Sequence, residues 1–208
     1  PYSDPLADGE TIQNSSSIAI QNGINLDIVF EQLNSIKKET EIPLIIMGYL
    51  NQMTVYGVED FLSACNNVGI QALIIPDLPP EEYEDRYRKL FQQYELDNIF
   101  LVTPETSEER IRKIDDMSKS FIYLVSTSSV TGARNSVSAE QRAYFERINS
   151  MNLTSPTLIG FGISDKKTFD IACSYSSGAI TGSAFIKAIS EPGELSENIR
   201  QFIKSLKN

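Results

Sequence analysis

Two aspartates in a turn-forming stretch and three glycine-bearing segments far downstream have the types and spacing to do chemistry in this 208-residue chain. Asp4 and Asp8 stand in PYSDPLADGETIQ, where proline and glycine disfavour a regular helix or a central strand. The plain reading of such carboxylates is an Asx-type turn. The chemical reading is that Asp8, on a loop beside a strand end, acts as a base or binds a polar N–H group. The glycine segments are VTGAR, GFGIS and GSAF. Gly160 and Gly162 let backbone amides approach an anion, with Ser164 positioned to start the next helix. Gly182 and Ser183 precede a helix whose N-terminal dipole favours phosphate, and Thr131 and Gly132 add a third contact. Together they suit a small phosphorylated ligand whose apolar part lies against Ile74, Leu101, Tyr123 and Phe161. Tyr123 reads equally well as a core aromatic, and Asp77, in IPDLPPEE, as a carboxylate that organises its loop.

The rest of the composition narrows this chemistry by exclusion. The chain has no histidine, which removes Ser-His-Asp and Cys-His systems together with the commonest zinc ligand, and no metal is expected. Cys65 and Cys173 lie far apart in helical stretches and read as small core residues. With 18 basic against 28 acidic side chains the formal charge is −10, which disfavours nucleic acid and membrane surfaces as partners. There is neither an apolar run near the roughly 18 residues needed to span a bilayer nor a secretion signal, so the expectation is a cytoplasmic protein. The length and 41% hydrophobic content suit one domain over residues 1–208.

Six apolar runs must position these residues: IPLIIMGY, ALIIPD, NIFLVT, FIYLVS, PTLIGFG and GAITGS. Each is of strand length and nearly continuous, as in a parallel sheet covered on both faces. Between them, Val58, Phe61, Leu62, Cys65 and Val68 recur at helical spacing, as do Tyr83, Tyr87, Leu90, Phe91 and Tyr94. Thr106 and Glu109 stand in capping-box register, and further helices fit Ala139 to Met151, Asp165 to Tyr175 and ELSENIRQFIKSL. The alternation implies a parallel α/β sheet, either open and doubly wound or closed as a (β/α)8 barrel. An open sheet usually binds phosphate after its first strand, whereas barrels use the loops after strands seven and eight. Here the glycine loops come last, so the barrel is favoured with its first two βα units missing. The helical segment from about Ile18 to Lys38 is then the helix after the second strand, and that strand ends just before Pro1.

PYSDPLADGETIQ, GYLN, IPDLPPEE, YLVSTSSVTGAR, GFGIS and GSAFIKAI, in this order, make the chain resemble the tryptophan synthase alpha chain. The resemblance implies a (β/α)8 barrel that cleaves indole-3-glycerol phosphate to indole and glyceraldehyde 3-phosphate by a retro-aldol reaction. It implies a beta-chain partner in an alpha2-beta2 complex, with pyridoxal phosphate only in that partner and no cofactor here. By it, Asp8 matches the aspartate that engages the indole N–H so that C3 can be protonated. A second catalytic carboxylate, a glutamate, is expected four residues before Pro1. The phosphate contacts carry over onto Gly132, Gly162, Gly182 and Ser183, and the ring-facing positions onto Met47, Ile74, Leu101, Tyr123 and Phe161. Asn51, Asp77 and Pro79 match positions near the subunit contact or the loop hinge, and Asp4 shapes its loop and the contact with the beta chain.

The chain departs from the family pattern at Thr127 and Ser129 in the lid loop, at Glu10 in ADGE, and in GYLNQ, where TYYNP is commoner. Two other readings remain: a catalytically silent alpha-like subunit, and another phosphate-binding barrel enzyme of the same pathway. If the latter is a synthase, it would be expected to use a lysine at a strand end, and none of the six runs contains one.

Overall fold

The structure, a computed structural model, describes residues 8–125, 137–160 and 162–207. They fall into two compact units, one built mainly from residues 13–100 and the other mainly from 101–117 and 121–207.

In the first unit, α1 (Glu10–Gln21) and α2 (Leu26–Ile36) lead into β1 (Leu44–Met47), α3 (Leu50–Tyr56), α4 (Val58–Asn67) and β2 (Ile70–Ile74). A helical stretch follows, made of α5 (Pro80–Glu82), a π-helical turn over Tyr83–Tyr87 and α6 (Arg88–Gln93), and then β3 (Asp97–Ile99). The helical segment expected from Ile18 to Lys38 is two helices. Gly23 takes a left-handed φ of 85°, which only glycine adopts freely, and the Asn25 side chain caps α2 by accepting from the Ile28 amide at 3.0 Å. The strands are parallel in the order β1-β2-β3, with Met47 opposite Ile74 and Ile74 opposite Ile99. Leu62, Cys65, Leu73, Phe91 and Ile99 are buried to within about a per cent, so this core lies between the sheet and α4 and α6. Phe30, Tyr56 and Phe61 pack edge to face and tie α2 to α3 and α4. β1 is not covered on both faces as its apolar run suggested. Among the described residues it pairs only with β2, and Ile45 and Met47 on one face are exposed.

The second unit runs β4 (Leu101–Val102), α7 (Glu108–Met117), β5 (Ile122–Val125), α8 (Ala139–Ser150), β6 (Thr157–Gly160), α9 (Lys166–Tyr175), β7 (Gly178–Ala179), α10 (Ser183–Ser190) and α11 (Leu195–Lys207). Its strands are parallel in the order β4-β5-β6-β7. The run NIFLVT therefore yields two strands, β3 and β4, interrupted at Phe100. Helix starts are locally encoded. Ser138 with Gln141, and Asp165 with Thr168, form capping boxes that satisfy first-turn amides of α8 and α9. The cap of α9 is thus Asp165 rather than Ser164. α7 likewise starts one residue later than the Thr106 register predicted, because the Ser107 hydroxyl accepts from the Arg110 amide while Thr106 turns back to the Thr103 amide. Ile111, Ile122, Leu124, Phe145 and Ile159 form the core. Cys173 is exposed, in contrast to the core position expected for it, whereas Cys65 is buried as expected. Among the described residues, no helix is long and apolar enough to cross a membrane.

Candidate functional site

In the first unit the carboxylate of Asp8 is half-buried in the bend before α1. Its backbone carbonyl accepts from Gln13 Nε2 at 2.8 Å, which ties the bend to the first turn of the helix. Its Oδ2 faces the phenol of Tyr49, whose Oη donates at 3.4 Å. Tyr49 follows the C-terminal end of β1 and caps α3. Asp77, just beyond β2, accepts the Leu50 amide at 2.9 Å, so a negative charge sits at the N-terminus of α3 where the helix dipole favours it. Asp77 organises a loop, though the loop is that of the neighbouring strand rather than its own. Ile74 is buried at the end of β2, and Met47 at the end of β1 is half exposed.

The second unit brings the later glycines to adjacent strand ends. β6 and β7 are hydrogen-bonded neighbours, with Ile159 opposite Ala179 and the Ile180 amide donating to the Ile159 carbonyl at 2.8 Å. Gly162 and Gly182 lie two and three residues beyond these strands, so their loops leave the sheet side by side. Gly162 has a φ of 44°, a backbone conformation that side chains resist. Gly182 precedes α10, whose first-turn amides at Ser183, Ala184 and Phe185 have no intrahelical acceptors, and among the described residues no side chain caps them. Such amides, with the positive end of the helix dipole behind them, suit a phosphate. Tyr123 on β5 lies across Gly160, and Leu101 on β4 pairs with Tyr123.

Asp8 and Asp77 come together around Tyr49 and α3, while Gly162, Gly182, Ser183, Tyr123 and Leu101 share the second sheet or its strand ends. Asn51 lies in the first turn of α3, and Pro79 immediately precedes α5. Asp4, Thr127, Ser129, Thr131, Gly132 and Phe161 lie outside the described residues. Tyr49 was not singled out by its sequence, and the only signal for it was its place in GYLN at the end of the apolar run IPLIIMGY. Among the described residues no group of three or more His, Cys, Asp or Glu is placed to hold a metal ion.

The model of the tryptophan synthase alpha chain family matches residues 1–208. The chain is 53% identical over 207 residues to the tryptophan synthase alpha chain of Christiangramia forsetii, covering all of this chain and 80% of that one. It is also 53% identical over 207 residues to the tryptophan synthase alpha chain of Flavobacterium johnsoniae, covering 81% of that protein. Among solved structures it superposes on a chain of the tryptophan synthase a2b2 complex of Pyrococcus furiosus with a TM-score of 0.90 at 30% identity, covering 100% of this chain and 84% of that one. The fold class is accordingly the (β/α)8 barrel, in agreement with the parallel strands and late glycine loops. With motifs, topology and relatives in accord, the chain belongs to the tryptophan synthase alpha chain family.

Proposed function

We infer that Asp8 is the carboxylate through which this chain performs its family's reaction. A tryptophan synthase alpha chain splits indole-3-glycerol phosphate into indole and glyceraldehyde 3-phosphate, a carbon–carbon lyase step of tryptophan biosynthesis. The ring carbon C3 must take up a proton before it can leave, and that step puts positive charge on the ring nitrogen. A carboxylate oxygen accepting the ring N–H stabilises this charge as it develops, and in a partly dewatered site such stabilisation is large. Asp8 supplies that oxygen. As the C3 bond to the glycerol carbon breaks, its electron pair returns to the ring. The glycerol hydroxyl gives its proton to a base, balancing the one taken up at C3, and its oxygen forms the aldehyde carbonyl.

The amides at the start of α10 and the backbone at Gly162 hold the phosphate, with Gly182 and Ser183 in the same turn and Thr131 and Gly132 as further contacts. Met47, Ile74, Leu101, Tyr123 and Phe161 line the indole. Asp4, Asn51, Asp77 and Pro79 belong to the face or hinge that meets a beta chain, since the Pyrococcus furiosus relative is part of an a2b2 complex. The place of action is the cytoplasm.

The observation that carries this reading is the half-buried Asp8 carboxylate, held by a phenol beside the end of β1 within a motif of the family. Asp8→Asn tests it. Indole release from indole-3-glycerol phosphate falls at least about 10²-fold, while binding of glycerol phosphate in a calorimetric titration is unchanged. Equal loss of both would make Asp8 structural.

A further inference from the structure

The turn Gly48-Tyr49-Leu50-Asn51-Gln52 is fastened from four directions. The Gly48 amide continues the ladder between β1 and β2 by donating to the Ile74 carbonyl at 3.1 Å. The Tyr49 amide donates to Gln52 Oε1 at 3.0 Å, and the Gln52 amide returns to the Tyr49 carbonyl at 3.0 Å. The Leu50 amide is held by Asp77 Oδ1 at 2.9 Å. Gly48 leaves room for this closure, because a β-carbon there would stand 2.7 Å from Gln52 Oε1 and the amide oxygen would have to move. Gly48 and Gln52 are two of the residues at which this turn departs from the commoner family string, and they work as a pair. Their joint effect is to fix the backbone of Tyr49 on both sides.

From this fastened turn the phenol of Tyr49 reaches a residue 41 positions earlier, Asp8. The hydroxyl takes Oδ2, while the Asp8 carbonyl is separately held by Gln13. One carboxylate oxygen is thus engaged by the protein, and the other is not the one the phenol takes. We propose that Tyr49 is a positioning residue for carbon–carbon cleavage, its phenol holding Oδ2 of Asp8 so that Oδ1 is the oxygen offered to the substrate ring N–H. This rests on the assignment of Asp8 above.

Tyr49→Phe removes the hydroxyl and keeps the ring. With indole-3-glycerol phosphate as substrate, kcat falls about tenfold, as for loss of a long hydrogen bond to a charged group, while KM and Tm stay within error. Gln52→Met unfastens the Tyr49 amide without touching the phenol. It lowers kcat about threefold in the parent enzyme and not at all in the Tyr49→Phe background, the non-additivity expected of two residues acting through one contact. A wild-type kcat in Tyr49→Phe, or a raised KM at constant kcat, overturns the proposal. Additive losses in the double variant also overturn it. Asp8→Asn measured in parallel separates the two claims. If it still releases indole, the Asp8 assignment fails. If it is inactive while Tyr49→Phe turns over normally, that assignment stands and only the positioning role is lost.

Discussion

The phenol of Tyr123 lies against the α-carbon of Gly160, so closely that a β-carbon at residue 160 would stand 2.4 Å from both Cε2 and Oη of the ring. The two residues sit on neighbouring strands, with Tyr123 opposite Leu158 and Val125 opposite Gly160. No ordinary carbon contact is this short, so any side chain at 160 must push the ring away. Gly160→Ala is expected to destabilise the protein by about 1–3 kcal/mol, the usual cost of overpacking, and to impair indole release as Tyr123 shifts. Chemical denaturation with an activity assay checks both. In the Gly160→Ala, Tyr123→Leu double variant the stability losses should fall well short of additive, because the smaller side chain vacates the contested space.

Asn98 on β3 is 4% exposed, and among the described residues its Oδ1 has no hydrogen-bond partner. Replacing a buried polar group that lacks a partner with an apolar one of similar shape removes a desolvation cost. Asn98→Leu should therefore raise Tm by a few degrees, corresponding to about 1 kcal/mol. A lowered Tm in a calorimetric scan would show that the oxygen is satisfied in solution.

Asp115 at the end of α7 accepts the amides of Thr154 and Ser155 at 2.9 and 2.8 Å and the Thr154 hydroxyl at 2.9 Å. Burial by itself would raise its pKa, but these hydrogen bonds outweigh burial and hold the carboxyl below its ordinary value of 3.8. A folded-state value below the unfolded one means that the unfolded chain binds the proton more readily. The stabilisation is therefore complete above pH 3.8 and is lost as the pH falls from there through the folded-state value. Asp115→Asn turns one acceptor into a donor facing other donors and should cost about 1–3 kcal/mol at neutral pH. Its unfolding free energy, followed from pH 6 downward, should also decline less steeply than the parent's.

The two thiols should be distinguishable by reagent. Cys65 is fully buried, and burial pushes its pKa up to about 12, while Cys173 is exposed. Partial burial and the nearby Asp170 carboxylate also raise the Cys173 thiol. An aromatic disulfide reagent should therefore titrate one thiol in the native protein and two after denaturation. The native reaction should be slow at neutral pH and accelerate as the pH rises.

The apolar runs were legible because a strand between layers needs little but continuous hydrophobicity, and the helices α8 and α9 were legible from the helical spacing of their apolar residues. What the sequence hid was long-range. α3 is short, and its N-terminus is held by Asp77, which is 27 residues away. The interruption at Phe100 has no mark in an unbroken apolar run. Gly23 did carry a local signal, which the surrounding helical periodicity masked. The glycine loops were readable as strand-end features, yet the partnership of Tyr49 with Asp8 depends on a contact that no spacing rule encodes.

Arg147, in the last turn of α8, donates to the carbonyls of Pro104 and Thr106 at 2.8 and 3.0 Å, while Tyr144 one turn earlier donates to the Val102 carbonyl at 2.8 Å. The segment that leaves β4 is thereby splinted from outside by a helix that follows it by more than thirty residues. The shape of that segment thus depends on the outer layer as well as on its own residues. A substitution in α8 that displaces Arg147 or Tyr144 therefore reshapes the segment beside Leu101 while leaving every residue of that segment unchanged.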